Sequence, residues 1–537
     1  MKKGLLITLV IVVVCILIAC AGVVIFVLMG GLDDAPDVGD NQGNLPEQHV
    51  HTEIMMGGIN PTCTIPGKTE GKMCSTCRTV LVEQTEIPAL GHQYGEWFTS
   101  QPGGCSGEGE RARECSRCGD RITEIVPSLG AHAYGIDDRC EFCGERYVDI
   151  GLKFQKSGDT YTVKGYTGSE TEIDVPAKYK GLPVTTIGTW AFYDCKTLTA
   201  VNLPTSITTI DAYAFSGCKK LTELSIPEGV TSIGQSAFRQ CEGLKSITLP
   251  DRVTSMGHQV FEQCNALTDV TLSGGMTTVS KGTFHNCKAL KNVVIPNSVT
   301  KIDDSAFYGC AALEGILIPN SVTSIGNEAF AECIGLVALT LPDSVNDLGQ
   351  KAFYHCISLT DVTLSAQLSQ IGTYVFASCG ALETIVLPNS VTRISDYMFF
   401  DCAKLANVTI PNSVTAIGNS AFYRCTGLAS ITIPSSVTTI EYQAFRDCLA
   451  LTSVTIPRGV ATLGNWAFYG CRNLTSVTIG RNVTAIGEGA FYYCVKLATI
   501  QFEGSVAEWS AITKGSGWKN GTALKSVICP DGTVSVK

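Results

Sequence analysis

The sequence is short of charge. Only 16% of its residues are Asp, Glu, Lys or Arg, while 54 are glycine. Its surface must therefore be wetted by Ser, Thr, Asn and Gly rather than by Lys and Glu. Basic excess is missing as well: the net charge is −10 and the pI is near 5.3. That excludes the basic stripe expected of a nucleic-acid binder. No Ser–His–Asp, paired-carboxylate or phosphate-loop pattern is present, and His258, His285 and His355 fall at scattered positions. These absences argue against an enzyme. Cysteine, by contrast, is abundant: 25 residues in three groups, with Cys529 left over.

One long apolar run exists, from Gly4 to Met29. As a helix its 26 residues would extend roughly 39 Å, more than the ~30 Å hydrocarbon core of a bilayer. Lys2 and Lys3 precede it, and Asp33, Asp34, Asp37 and Asp40 follow. The positive-inside rule keeps the N-terminus cytoplasmic and exports the rest. A cleaved signal peptide is a rival, although its apolar region usually runs to about 7–15 residues. A second rival is a lipoprotein: Leu17-Ile18-Ala19-Cys20 is similar to a lipobox, with Cys20 the lipidated residue. The apolar run continues past Cys20, which favours the uncleaved anchor. Cys15 and Cys20 are then simply apolar members of a membrane helix. Residues 31–48 read as a flexible linker.

From His49 to Cys143 a unit recurs. His51, Cys63, Cys74 and Cys77 are followed by His92, Cys105, Cys115 and Cys118, then by a shortened His132, Cys140 and Cys143. Two thiolates in a C-x-x-C turn can reach one tetrahedral zinc ion, and a distant Cys and His close the shell. Gly119 and Gly144 follow their knuckles, where a left-handed turn is needed. Segments this short need a staple. Export favours disulfides, but the recurring histidine favours structural zinc. Each set draws on the histidine before it or the one after it. The third unit favours the leading one. That unit is also one ligand short of four, which argues against a third metal site.

Beyond residue 190 cysteine recurs every 23 residues from Cys195 to Cys494, with Phe three residues before it and Leu three residues after. An apolar pair two apart follows (Val201 and Leu203; Leu224 and Ile226), usually then proline, and then a pair three apart such as Val322 and Ile325. A fixed period of this length means a solenoid whose stacked coils share one core. The alternating stretch reads as a short strand, and A-F-x-x-C as a turn or single helical turn. At ~4.8 Å per coil, fourteen coils make a rod of roughly 65–70 Å. The cysteines are expected to be free, buried thiols: neighbouring coils bring them within disulfide range, but the side chains point inward in parallel, and no histidine shares their period to make a metal site.

The repeat L-x-x-(V/I)-x-(I/L)-P-x-x-V-x-x-I-x-x-x-A-F-x-x-C resembles the BspA-type leucine-rich repeat of bacterial surface proteins. Residues 173–188 resemble that family's N-terminal cap, and Phe502 to Gly532 its C-terminal cap. The Cys/His units are similar to zinc-ribbon-like repeats attached to such proteins. The resemblance implies a non-catalytic surface protein engaged in adhesion or protein binding. Ser273, Ser365 and Gly480 depart from it where proline should end the strand, which would loosen those turns. The expected organisation is a transmembrane signal anchor (1–30), a linker (31–48), a small β-rich Cys/His module (49–146), a cap (147–190), a leucine-rich repeat solenoid of strand plus short helix or turn (191–500) and a second cap (501–537).

One outward row of strand positions is the candidate ligand-binding face: Thr248, Thr271, Val294, Leu317, Thr340, Thr363, Val386, Thr409, Thr432, Thr455 and Thr478. Threonine is a good strand former in water, which explains most of the row without a ligand. Val294, Leu317 and Val386 are the least expected there and mark an apolar centre. A second row follows the phenylalanines (Tyr193, Tyr308, Tyr354, Phe400, Tyr423, Tyr469, Tyr492) and is expected to pack on neighbouring coils. The function expected is a membrane-anchored surface protein that binds an extracellular protein or glycan, with structural zinc. The alternative is a self-associating surface scaffold. Ice binding is disfavoured, because the mixed rows spoil a regular lattice.

Overall fold

A computed structural model describes residues 51–101, 105, 109–126 and 131–536. The expected anchor and linker, with Cys15 and Cys20, lie outside the described residues. Among the described residues no helix is long and apolar enough to cross a membrane. The chain divides into two compact units, the first ending at Gln93 but including Cys115–Gly119, the second taking Tyr94–Glu114 and everything from Asp120. The division thus falls inside the Cys/His segment.

The first unit has an antiparallel sheet of Glu53–Met56, Gly71–Cys74 and Val80–Val82, and a two-stranded pair, Gly67–Lys68 with Glu86–Ile87. Little apolar surface is buried in it; Cys63 and Cys74 are among the few buried side chains. The second unit opens with the antiparallel strands Phe98–Gln101, Gly109–Glu114 and Arg121–Val126.

The solenoid follows. Most coils contribute a strand such as Ser246–Thr248, paired in parallel with Asp269–Thr271 one repeat on. Each coil also contributes a shorter strand such as Lys301–Ile302, paired with Ser324–Ile325. The register is 23 residues throughout, so every inward aliphatic sits on its counterpart. A one-residue slip would turn these side chains outward.

The phenylalanines form a continuous inner stack. Successive rings from Phe192 to Phe491 lie between 5.0 and 6.1 Å apart with their planes nearly parallel. The cysteines sit beside them, buried and free from Cys218 to Cys494, as expected. Each thiol donates to the carbonyl of the phenylalanine one coil back: Cys218 to Phe192 at 3.0 Å, Cys333 to Phe307 at 3.1 Å, Cys494 to Phe468 at 3.1 Å. Burial pushes the Cys264 thiol up to about 12, so the ladder is inert. Hydroxyls do the same nearer the surface. Thr300 donates to the Thr277 carbonyl and Ser344 to that of Val322. A surface poor in charge is thus held by side chains that repeat with the backbone.

The A-F-x-x-C stretch is not a helical turn. Two residues per coil have positive φ, at Trp190, Tyr213, Ser236 and onward, and at Asp194, Gln240, Gln263 and onward. Alternate N–H groups therefore point to the next coil: Phe192 to the Ala214 carbonyl at 2.7 Å and Asp194 to Ser216 at 2.8 Å. Those between fold back, as Tyr193 does to Trp190. A helix would direct its N–H groups along its own axis rather than alternately across to the next coil. Each left-handed non-glycine costs roughly 1–2 kcal/mol, offset here by the inter-coil bonds.

Ser273 and Ser365 do not loosen their turns. The buried Ser273 hydroxyl donates to the Val253 carbonyl at 2.7 Å and accepts from the Gly275 N–H, and Ser365 accepts from Gln367. At Gly480 a Cβ would come within 2.7 Å of the Arg458 backbone, so the missing side chain lets two turns approach.

Both ends are closed. The hairpin Leu152–Ser157 with Thr160–Tyr166 pairs onto Leu182–Ile187, and Tyr166 meets the first ring of the stack, Phe192. At the other end Trp518 meets Phe491, and the helix Val506–Ala511 places Trp509 against Phe502 and Trp518. Ser505 and Glu508 form a capping box at its start.

Candidate metal centres and the outward sheet face

Three groups of Cys and His donors converge: Cys63, His92, Cys115 and Cys118; Cys105, His132, Cys140 and Cys143; and His51, Cys74 and Cys77. Within each group the donor atoms lie within 4.8 Å of one another. The leading histidine serves each knuckle. Its Nδ1 lies 3.5 Å from Cys77 Sγ for His51, 3.4 Å from Cys118 for His92 and 3.3 Å from Cys143 for His132. The lone cysteine is placed differently from the sequence-based expectation. Cys63 joins the second knuckle, not its own, with Sγ 3.8 Å from Cys115. Cys105 joins the third, with Sγ 3.4 Å from Cys140. The third group therefore has four donors, and the first offers three among the described residues.

The knuckles share one backbone. Arg78, Gly119 and Gly144 adopt positive φ, and each donates its N–H back to the first cysteine's carbonyl, in Cys74, Cys115 and Cys140 respectively. The glycine expectation thus holds at two knuckles, while arginine takes the strained position in the other. Desolvation raises the Cys115 thiol, but the backbone N–H groups of Arg117, Gln93 and Cys118 with the His92 ring bring it down to about 5. Cys140 is likewise raised by desolvation and brought down to about 6 by the N–H groups of Cys143 and Phe142, with His132 and Ala133. The incoming cysteines are shifted the other way by burial and by neighbouring thiols, Cys63 to about 11 and Cys105 to about 12. The second and third knuckles are each pre-set to hold one thiolate.

These donors fit zinc. A Zn–S bond of ~2.3 Å in a tetrahedron implies sulfurs about 3.8 Å apart and an N···S edge of about 3.6 Å. Five donor pairs lie 3.3–3.8 Å apart and all donors of a group within 4.8 Å, while a disulfide requires about 2.05 Å. His132 Nε2 also faces the Glu145 carboxylate at 3.6 Å, on the side where a metal-bound imidazole takes its outer partner.

On the sheet face the expected row is outward. Thr248, Thr271, Thr340, Thr363, Thr409, Thr432 and Thr455 are exposed and Thr478 is half-buried. Val294 is 58% exposed, Leu317 84% and Val386 64%. Leu317 lies at the outward-face position of a coil that, between Asn292–Val294 and Ala338–Thr340, forms only the shorter strand of the other face. The aromatic row mostly packs as expected: Tyr469 stacks on Tyr492, Tyr308 on His285, and Phe400 meets Tyr423 edge-on. Tyr193 is the exception, at 57% exposure. It borders an open hollow of about 440 Å³ with Trp190, Tyr213, Ser216, Arg239 and Gln240. Sequence reasoning missed this hollow, because the left-handed position of Trp190 and Tyr213 has no fixed residue type: it carries Ser236, Gln259 and Glu328 in some coils and Tyr374 and Trp466 in others.

A parallel, 23-residue solenoid with capped ends defines a leucine-rich repeat protein. The chain belongs to the BspA type leucine-rich repeat family, whose model matches residues 185–314, 300–429 and 393–513, with 6 copies. It is similar to a leucine-rich repeat protein from Bacteroides ovatus, at 25% identity and a TM-score of 0.56, covering 72% of this chain and 100% of that one. A leucine-rich cell surface protein from Faecalibacterium prausnitzii is 34% identical, with a TM-score of 0.44, covering 68% of this chain and 97% of that one. A comparison with curated proteins gives no match. The relatives are repeat proteins, a non-enzymatic family.

Proposed function

We propose that the chain is a membrane-anchored, extracellular bacterial surface protein whose solenoid binds a protein or glycan. The single observation that carries this is the outward row, where Val294, Leu317 and Val386 stand largely exposed on a weakly charged sheet. Such a surface costs little to desolvate, and its apolar centre is where binding energy concentrates. The family suggests interaction or adhesion roles, and the F. prausnitzii relative is described as a cell surface protein. The residues from Gly4 to Met29 supply the anchor, with lipidation at Cys20 as the alternative attachment. No nucleic-acid partner and no catalytic site enter this reading. Zinc at the two four-donor groups is structural, since the protein supplies a complete tetrahedral set there.

The test is a screen of the full chain, and of a Val294→Asp/Leu317→Asp variant, against arrays of extracellular proteins and glycans. Hits that weaken at least about tenfold in the variant, with unchanged thermal unfolding, support the sheet face as reader. Hits that survive the change place recognition elsewhere, the hollow at Trp190 and Tyr213 being the next surface to alter. If the chain binds nothing but self-associates with rising concentration in sedimentation, the scaffold alternative is correct.

A further inference from the structure

The group Cys105, His132, Cys140 and Cys143 is built into the solenoid's cap. The His132 carbonyl accepts from Ala177 N–H at 2.8 Å, Tyr134 N–H donates to Lys178 and Gly181 N–H donates to Tyr134. Ala133 bridges Lys178 in parallel, and Lys178 Nζ reaches the Glu141 carboxylate at 2.7 Å. Cys105, Tyr134 and Cys140 form one small buried cluster with Tyr147 packed against it. From there an aromatic chain runs through Tyr147 and Tyr179 to Phe154, on the capping hairpin. Three of the four donors thus sit in a segment already hydrogen-bonded to the cap. The fourth, Cys105, lies 35 residues before Cys140.

We propose that this third group holds a structural zinc ion that belongs to the solenoid's N-terminal cap, with Cys105 as the ligand that completes it. The inference rests on the reading of the knuckles as zinc sites. It goes further in assigning each lone cysteine forward to the next knuckle and in giving the last ion a role in closing the solenoid. Without Cys105, the loop His132–Gly144 keeps three donors on one short segment and loses its tie to the chain before it. With it, the ion fixes the Tyr134 edge against Lys178 and the aromatic chain that leads to the capping hairpin.

The experiment uses the full chain, with metal content measured by mass spectrometry and hydrogen–deuterium exchange followed by peptide. Cys105→Ser is expected to lower the metal-to-chain ratio by one. Exchange should rise in residues 131–147 and 177–181, while 115–119 stays protected. Cys63→Ser should lower the ratio by one as well, but deprotect 115–119 instead. Cys105→His, which keeps four donors, should restore both the ratio and the cap's protection. If Cys105→Ser deprotects 115–119 and leaves the cap unchanged, each cysteine serves its own knuckle and this inference fails while zinc stands. If the native chain carries no metal, or a Cys105–Cys140 disulfide two hydrogens lighter in intact mass, the zinc reading fails and takes this inference with it.

Discussion

The Cys/His units and the solenoid solve the same problem by different means. Each solenoid coil is too small to bury its own apolar residues, so it borrows a neighbour. Phe330 is fully buried because Phe307 and Phe353 cover its two faces. A Cys/His knuckle also borrows from a neighbour, but what it takes is one sulfur: Cys63 for Cys115 and Cys118, Cys105 for Cys140 and Cys143. In the solenoid, cysteine is a filler whose thiol satisfies a carbonyl. In the knuckles it is held by N–H groups that favour the thiolate. The same side chain does opposite work because of what surrounds its sulfur.

The comparison can be broken most forcefully by chelation. Structural zinc contributes on the order of 10 kcal/mol to a domain without a core. Treating the full chain with a strong chelator should therefore abolish exchange protection around Cys74–Arg78 and Cys115–Gly119, while peptides spanning Phe307 to Phe376 stay protected. Knuckles that remain protected after chelation, and open only on reduction, would mean that disulfides are the staple.

A smaller effect tests the ring stack from inside. Phe330→Ala removes one ring between two others and should cost about 3–5 kcal/mol, read from denaturant unfolding. A loss under about 1 kcal/mol would show that neighbouring coils collapse into the gap, so that the register is softer than the hydrogen bonds imply. The smallest effect belongs to the thiol ladder. Cys356→Ala gives up one weak bond, to the Phe330 carbonyl at 3.3 Å, and a small volume. It should cost about 1–2 kcal/mol. A change indistinguishable from zero would leave Cys356 as a space-filler alone.

Much of the fold was legible because stacking makes sequence period and spatial register the same number. Phenylalanine, cysteine and leucine recur every 23 residues, and their ladders follow. The turn ribbon was not legible. Its left-handed positions carry glycine in only a few coils (Gly217, Gly282, Gly309, Gly470 and Gly489) and side chains as varied as Trp190, Ser236, Glu328 and Lys351 elsewhere, so no glycine period marks them, and the conformation is held by the next coil rather than by local preference. In the metal groups the residue types and the leading histidines were readable from spacing. Which knuckle each lone cysteine joins was not, because C-x-x-C spacing constrains a turn and says nothing of a ligand 52 or 35 residues away.

The sequence by itself determined the solenoid, its period, its buried ladders and its weakly charged outer row, since a repeat that must stack has one way to bury its apolar positions. Only the tertiary structure decided the alternating turn ribbon, the aromatic hollow at Trp190, and the pairing of Cys105 with Cys140. These depend on contacts between chain segments whose separation carries no periodic signal, or whose backbone is strained into place by a neighbour.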